Sequence, residues 1–366
     1  MTPHDDIIVA LLNVPDVSLE VRLLGRIADP VIGNPSESEV FLFVPDLHVL
    51  TPERQKRFGN YGFNHAEQKV LTKILQQLAR LRTDWDLEGQ HKLVTIQLGD
   101  FFDLWREFPS GADPGAIPDE AHGDLRDVLY RGVDRHLPCL KATMLLGNHD
   151  TKRGTPLPEI PFRLKAFNRT TDGTPFLFTT HGDAFDVLEI LVPDAISEFV
   201  VQFIGSLTPV NKYPVTNWGA AAAKTNKPIK DLEDCIMAPQ HDLGVPQGAV
   251  RVQPGDLLPP LVARTVSAPE DAHHGSFERY YQSITMAADR GLSAAGVRVV
   301  VVGHSHAAAL ILCQPPTQRP LVMMDVGAWI EQCTYPLDEG GTVTEASAQL
   351  GVIHGNDIRL YQIRMA

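Results

Sequence analysis

Five apolar runs in this chain each end on residues that a core does not accept unaided. "VFLFVPDLH" ends on Asp46 and His48, "KLVTIQLGD" on Asp100, and "KATMLLGNHD" on Asn148, His149 and Asp150. "PFLFTTHGD" carries His181 near its end, and "VRVVVVGHSH" ends on His304 and His306. A short continuous apolar run bounded by polar residues is the pattern of a strand buried on both faces. Helical patterns fall between the runs. In "NHAEQKVLTKILQQLARL" (64–81) Asn64 can N-cap and Glu67 can complete a capping box, while Val70, Leu71, Ile74, Leu75 and Leu78 recur at helical spacing. A further helical stretch lies around 119–137. Strands alternating with helices specify an α/β domain, and neighbouring strand ends in such a sheet converge on one crevice.

The organisation follows from where this alternation holds. Residues 1–38 carry two short apolar stretches, "IIVALL" and "VSLEVRLLG", and read as an N-terminal extension packed on the core. Residues 39–366 read as one domain, interrupted at about 184–295 by an inserted, mostly helical cap with an Ala-rich and a Pro-rich stretch. The chain closes on "PLVMMDVGAW" (320–329) and a hairpin pattern, "AQLGVIHGNDIRLYQI" (348–363), turning at Gly-Asn-Asp.

Composition excludes some partners. Hydrophobic residues make up 43% of the 366, enough for a packed core. Lys and Arg total 32 against 45 acids, a net charge of −13, which makes long nucleic acid and anionic membrane surfaces poor partners. The four cysteines, Cys139, Cys235, Cys313 and Cys333, form no CxxC and read as reduced thiols. Asp5 and Asp6 stand where a signal peptide carries basic residues, and Ile7–Leu12 falls short of the roughly 20 residues a membrane span needs. The expectation is a soluble, cytoplasmic protein without stable membrane insertion.

Each strand ending has an ordinary explanation by itself. Asp after a strand is often a helix N-cap, and Gly-Asn-His-Asp can be a turn. Five in series, most with a Gly for close backbone approach, make a stronger statement. Carboxylates and imidazoles crowded at buried strand ends are costly unless something neutralises them. Divalent metals do so, and a mixed set of carboxylate, imidazole and amide donors suits first-row transition ions.

The ordered set DxH, GDxxD, GNHD, HGD and GHxH resembles the calcineurin-like metallophosphoesterase superfamily. The resemblance implies a four-layer α/β–β/α sandwich with a dinuclear metal site at the strand ends. It implies that Asp46, His48 and His306 hold one metal, that Asn148, His181 and His304 hold the other, and that Asp100 bridges them. His149 would face the substrate phosphate, and Asp150 would hydrogen-bond the His149 ring and set its tautomer. Hydrolysis would proceed by in-line attack of a metal-bridging hydroxide, with His149 stabilising charge or donating a proton. Manganese is the leading expectation, with iron, zinc or a mixed pair as alternatives.

Within the superfamily, "LGDFFDLWRE" differs from the serine/threonine protein phosphatases, whose motif continues into Arg-Gly. "HGDAFD" and "DVGAWIEQCT" are similar to the bacterial branch around UDP-2,3-diacylglucosamine hydrolase, a pyrophosphatase, although that branch usually carries Arg where this chain has His149. The expected substrate is a small phosphodiester or pyrophosphate. Alternatives are a phosphomonoesterase or protein phosphatase of the same fold, or a metal-binding scaffold without turnover. Asp103, Trp105 and Arg106 are candidates for contacting substrate. So are Phe199 and Phe203, on an apolar helical face (Ile196, Phe199, Val200, Phe203, Ile204, Leu207) that would admit an apolar substrate group, and Trp218 is a further pocket candidate.

Overall fold

The computed structural model describes residues 2–28, 37–49, 65–104, 124–131, 138–152, 155–156, 162–169, 173, 175–183, 296–304, 308–313, 321–336 and 342–365. The inserted segment at 184–295 lies outside the described residues.

The chain begins with helix α1 (Pro3–Leu12), opened by a capping box in which Thr2 and Asp5 satisfy each other's backbone N–H groups. Ile7 and Leu11 turn inward from it. Strand β1 (Leu19–Ala28) then pairs antiparallel with the last strand, β14 (Asp357–Met365). Residues 3–28 therefore contribute both a packed helix and a strand of the larger sheet.

That sheet is mixed. β2 (Glu39–Val44), β3 (Lys92–Gln97) and the short β4 (Thr143–Met144) are parallel neighbours. β13 (Thr342–His354) pairs antiparallel with β2 and with β14, giving the order β1-β14-β13-β2-β3-β4, and β12 (Ile330–Pro336) pairs with a further stretch of β13. The second sheet has the order β10-β11-β9-β8-β7, from β7 (Lys165–Arg169), β8 (Pro175–Thr180), β9 (Val299–Val302), β10 (Ala309–Cys313) and β11 (Leu321–Asp325). Here β8, β9 and β11 are parallel, with antiparallel strands outside them. A two-residue pair, β5 (Thr151–Lys152) with β6 (Thr155–Pro156), stands apart.

The two faces of β2 explain why its sequence is apolar throughout. Val40, Leu42 and Val44 pack with Leu71, Ile74, Leu75 and Leu78 of helix α2 (His65–Glu88) and with Ile7 and Leu11 of α1. Phe41 and Phe43 point the other way, into a core shared with Phe176, Val299, Val301, Val322 and Met324 of the second sheet. Phe41 and Phe176 meet edge to face with centroids 5.7 Å apart. Each such buried side chain is worth about 1.5–3 kcal/mol, so a one-residue slip of β2, which would exchange its faces, is strongly disfavoured. The remaining face of the second sheet is buried as well, with Phe178, Val300, Val302, Ile311 and Met323 in a third cluster. No helix among the described residues is long and apolar enough to cross a membrane.

Candidate functional site

Each sheet contains a parallel block, β2-β3-β4 at one end of the first and β11-β9-β8 in the middle of the second, and the strands that carry the polar endings send them to the same rim. β2 leads into Asp46 and His48, β3 into Asp100, β4 into Asn148 and His149, β8 into His181, and β9 into His304. The exits are sewn together by main chain. Leu47 and His48 N–H both donate to the Asp100 carbonyl, at 3.0 and 2.9 Å, and Val49 N–H donates to that of Phe101. The buried Gln97 amide donates to the carbonyls of Pro45 (3.3 Å) and Gly99 (2.6 Å), and its oxygen accepts the Gly99 N–H. A polar residue inside "TIQLGD" was the only sequence sign of that suture.

Three site residues have left-handed backbone, namely His48 (φ 48°), Asp100 (φ 47°) and His304 (φ 68°). Such conformations cost about 1–3 kcal/mol each and persist only where surrounding contacts hold them. The glycines before the polar residues serve the same crowding. A Cβ on Gly99 would lie 2.7 Å from His181 Nδ1, one on Gly147 would collide with the Asp100 carboxylate, and one on Gly303 with that of Asp46.

The side chains form two clusters that share Asp100. One is Asp46, His48 and Asp100, and the other is Asp100, His181 and His304; within each, the donor atoms lie within 4.8 Å of one another. His181 Nδ1 sits 3.0 Å from the Leu98 carbonyl, which can only accept, so Nδ1 carries the proton. Nε2 of the same ring has Asn148 Oδ1 at 3.1 Å, His304 Nδ1 at 3.3 Å and Asp100 Oδ2 at 3.4 Å. His48 Nε2 lies 3.4 Å from that same Asp100 oxygen. Bonds of about 2.1 Å to one ion place its ligands about 3.0–3.4 Å from each other, so the spacing fits a cation among these donors. The clusters can hold metal ions.

The electrostatics carry the same demand. Burial, reinforced by the neighbouring Asp100 charge, pushes the Asp46 carboxyl well up. Burial also pushes Asp100 up, but the His181 and His149 charges outweigh it and hold this carboxyl far below the usual range. His181 is pushed up because Asp100 and Asp46 overcome the cost of burying its charge. His48 is pushed down by burial. Carboxyls at 0–1% exposure crowded with imidazoles are costly as charges, a cost that a cation among them relieves.

His149 is placed differently from the expectation. Its main-chain N–H donates to Asp100 Oδ1 at 2.9 Å, and its ring Nδ1 meets Asp103 Oδ1 at 2.9 Å. Asp150 does not orient this ring. Its two oxygens accept the N–H groups of Phe102 (2.8 Å) and Gly147 (3.0 Å), so it braces the loops that carry Asp100 and Asn148. The reason is local: Asn148–Asp150 form a single 3₁₀ turn, in which Asp150 reaches back to the N–H three residues earlier. Asp103, a candidate substrate contact in the sequence, is fully buried, with its second oxygen 3.4 Å from His48 Nδ1. Phe102 bridges Val49, and Asp103 N–H donates to the Val49 carbonyl, so this segment runs alongside 46–49 and turns Asp103 inward between two imidazoles. His48, Asp103 and His149 also form a third group with donor atoms within 4.8 Å, and the two rings stack edge to face at 4.9 Å.

His306, Trp105, Arg106, Phe199, Phe203 and Trp218 lie outside the described residues. No protein-family model matches the chain, and no curated protein matches it.

Proposed function

We propose that the protein is a dinuclear-metal-dependent phosphoester hydrolase of the calcineurin-like metallophosphoesterase type, acting on a small phosphodiester or pyrophosphate. The observation that carries this reading is the Asp100 carboxylate common to two His/Asp clusters, both where the parallel strands of the two sheets end. In this reading Asp46, His48 and His306 hold one ion, Asn148, His181 and His304 the other, and Asp100 both. The donors are oxygen and nitrogen with no thiolate, which suits manganese, iron or zinc. When bound, such a pair supplies Lewis acidity that makes water nucleophilic near neutral pH. The fold is proposed as the four-layer arrangement of that superfamily, with the inserted segment as its cap.

The chain's own residues have separable tasks. Asp103 fixes Nδ1 of His149 as the bonded nitrogen, so His149 meets a phosphoryl or leaving-group oxygen through Nε2, as charge stabiliser or proton donor. Asp150 keeps the 147–150 turn against Phe102 and thereby holds Asn148 at the rim. The net charge of −13 supports a small substrate over long nucleic acid.

The test is hydrolysis by manganese-reconstituted protein of a bis-aryl phosphodiester, an aryl phosphomonoester, a UDP-sugar lipid and a cyclic nucleotide, side by side. Turnover of a diester or the pyrophosphate above the monoester supports the reading. A monoester preference would make it a phosphomonoesterase of the same centre, and two bound metals with no turnover would leave a scaffold.

A further inference from the structure

The segment Asp325–Trp329 leaves the second sheet and reaches the base of the site. β11 pairs in parallel with β9 as far as Asp325 opposite Val302, and Val326 N–H continues the ladder to the Val302 carbonyl at 3.0 Å. Asp325 is fully buried, and its Oδ1 accepts the N–H of Gly327 at 3.0 Å. Gly327 has φ 79°, a conformation that a residue with a Cβ rarely adopts. The reversal delivers Ala328 into a parallel bridge with Asp46, and Trp329 N–H donates to the Asp46 carbonyl at 2.8 Å. The buried Trp329 indole anchors the far end of the segment on the Gln349 carbonyl at 2.5 Å. From the other side, His304 N–H donates to Asp46 Oδ2 at 2.7 Å. Asp46 is thus held by its carbonyl from the Asp325 turn and by its carboxylate from β9.

We propose that Asp325 is a positioning residue for Asp46: by capturing the Gly327 N–H it fixes the turn that clamps the Asp46 main chain, and so sets how tightly the Asp46 side of the centre holds a cation. This rests on the metal-centre reading above. A buried carboxylate is costly to place in a strand end, and a core position there would take Val or Leu. Outer supports of this kind determine metal affinity because a ligand displaced by a fraction of an ångström no longer meets the ion.

The experiment titrates the full chain with Co(II), following the visible spectrum and equilibrium dialysis, and measures melting temperature in parallel. Wild type should bind two ions. Asp325→Ala should weaken one of the two about 10–100-fold, with a changed spectrum, while Asp325→Asn, which keeps an acceptor oxygen, should stay close to wild type. Met323→Ala, a core truncation on the same strand, should melt lower yet bind both ions normally. Gly327→Ala strains the same turn and replaces Asp325→Ala should that variant fail to fold, with the same expected loss. Unchanged binding in Asp325→Ala or its replacement, or equal weakening in Met323→Ala, would overturn the inference while leaving the centre intact. Wild-type protein that binds fewer than two ions overturns the centre itself, and the inference with it.

Discussion

His149 is held from two directions, main chain to Asp100 and ring to Asp103, and the two contacts separate its roles from those of its neighbours. His149→Ala should lower turnover by roughly 10²–10⁴-fold, the range for loss of a positioned acid or charge stabiliser, with metal content by elemental analysis nearly unchanged. Parallel loss of metal would make His149 a ligand instead. Asp103→Asn should cost at least about tenfold, since a residue that sets a ring's orientation acts through that ring. It should also weaken metal binding, because Asp103 faces His48 as well. Asp150→Ala belongs to a different class. It strands the buried N–H groups of Phe102 and Gly147, at about 1–3 kcal/mol each, and should appear first as a lower urea midpoint.

At the scale of elements, α1 is tied to the end of the chain through a titratable group. His4 Nε2 lies 3.3 Å from the Asp357 carbonyl, which can only accept, and Nδ1 then accepts the Tyr361 hydroxyl at 3.2 Å. That pattern is complete with the ring neutral. Burial, aided by the Arg359 charge, pushes His4 from an ordinary 6.5 down to about 4. The folded state therefore binds the proton less well than the unfolded chain. The contribution is fully present above about pH 6.5 and is lost as pH falls toward 4, amounting to about 2–3 kcal/mol. Asp357 does not mask this window. Burial pushes it up, but hydrogen bonds from Arg359 and Arg26 hold it at about 2, so its own contribution is lost only below the ordinary 3.8. Urea midpoints measured at pH 7, 5 and 4 should fall more steeply for wild type than for His4→Gln. Equal slopes would show that His4 does not carry the pH dependence.

At the scale of the whole molecule, the site is the place where two sheets meet and where buried acids accumulate. Metal binding should therefore be folding energy. At about 100 times its dissociation constant, an ion adds about 2.7 kcal/mol to a state that alone binds it. For a chain of 366 residues that is a rise of roughly 3–4 °C in melting temperature per ion, reversed by a chelator. Asp100→Ala should abolish the rise, because both clusters draw on that carboxylate. A melting curve indifferent to metal and chelator would remove the argument that cations neutralise the rim.

The sequence by itself determined the strands that carry the polar endings and which residues stand there, but it did not mark β1, β7, β10 or β12. Apolar runs such as "VFLFV" and "VRVVVV" are buried on both faces whatever their neighbours, and a Gly before Asp, Asn or His announces close approach. It placed Asp46, His48, Asp100, His181 and His304 at strand ends, and the structure brings them into clusters that could hold a metal ion. It did not determine which acid serves which imidazole. Asp150 is next to His149 in the chain, yet the 3₁₀ turn points it at main chain, while Asp103 arrives from the segment that follows β3. Nor did it announce Gln97, whose amide reaches the Pro45 carbonyl only when β2 and β3 lie side by side, or Asp325, whose local bond to the Gly327 N–H gains its role only where that turn meets Asp46. Donor type and its place at a strand end are properties of a residue and its strand. Orientation is a property of hydrogen bonds between segments distant in the chain, and only the packed structure decides those.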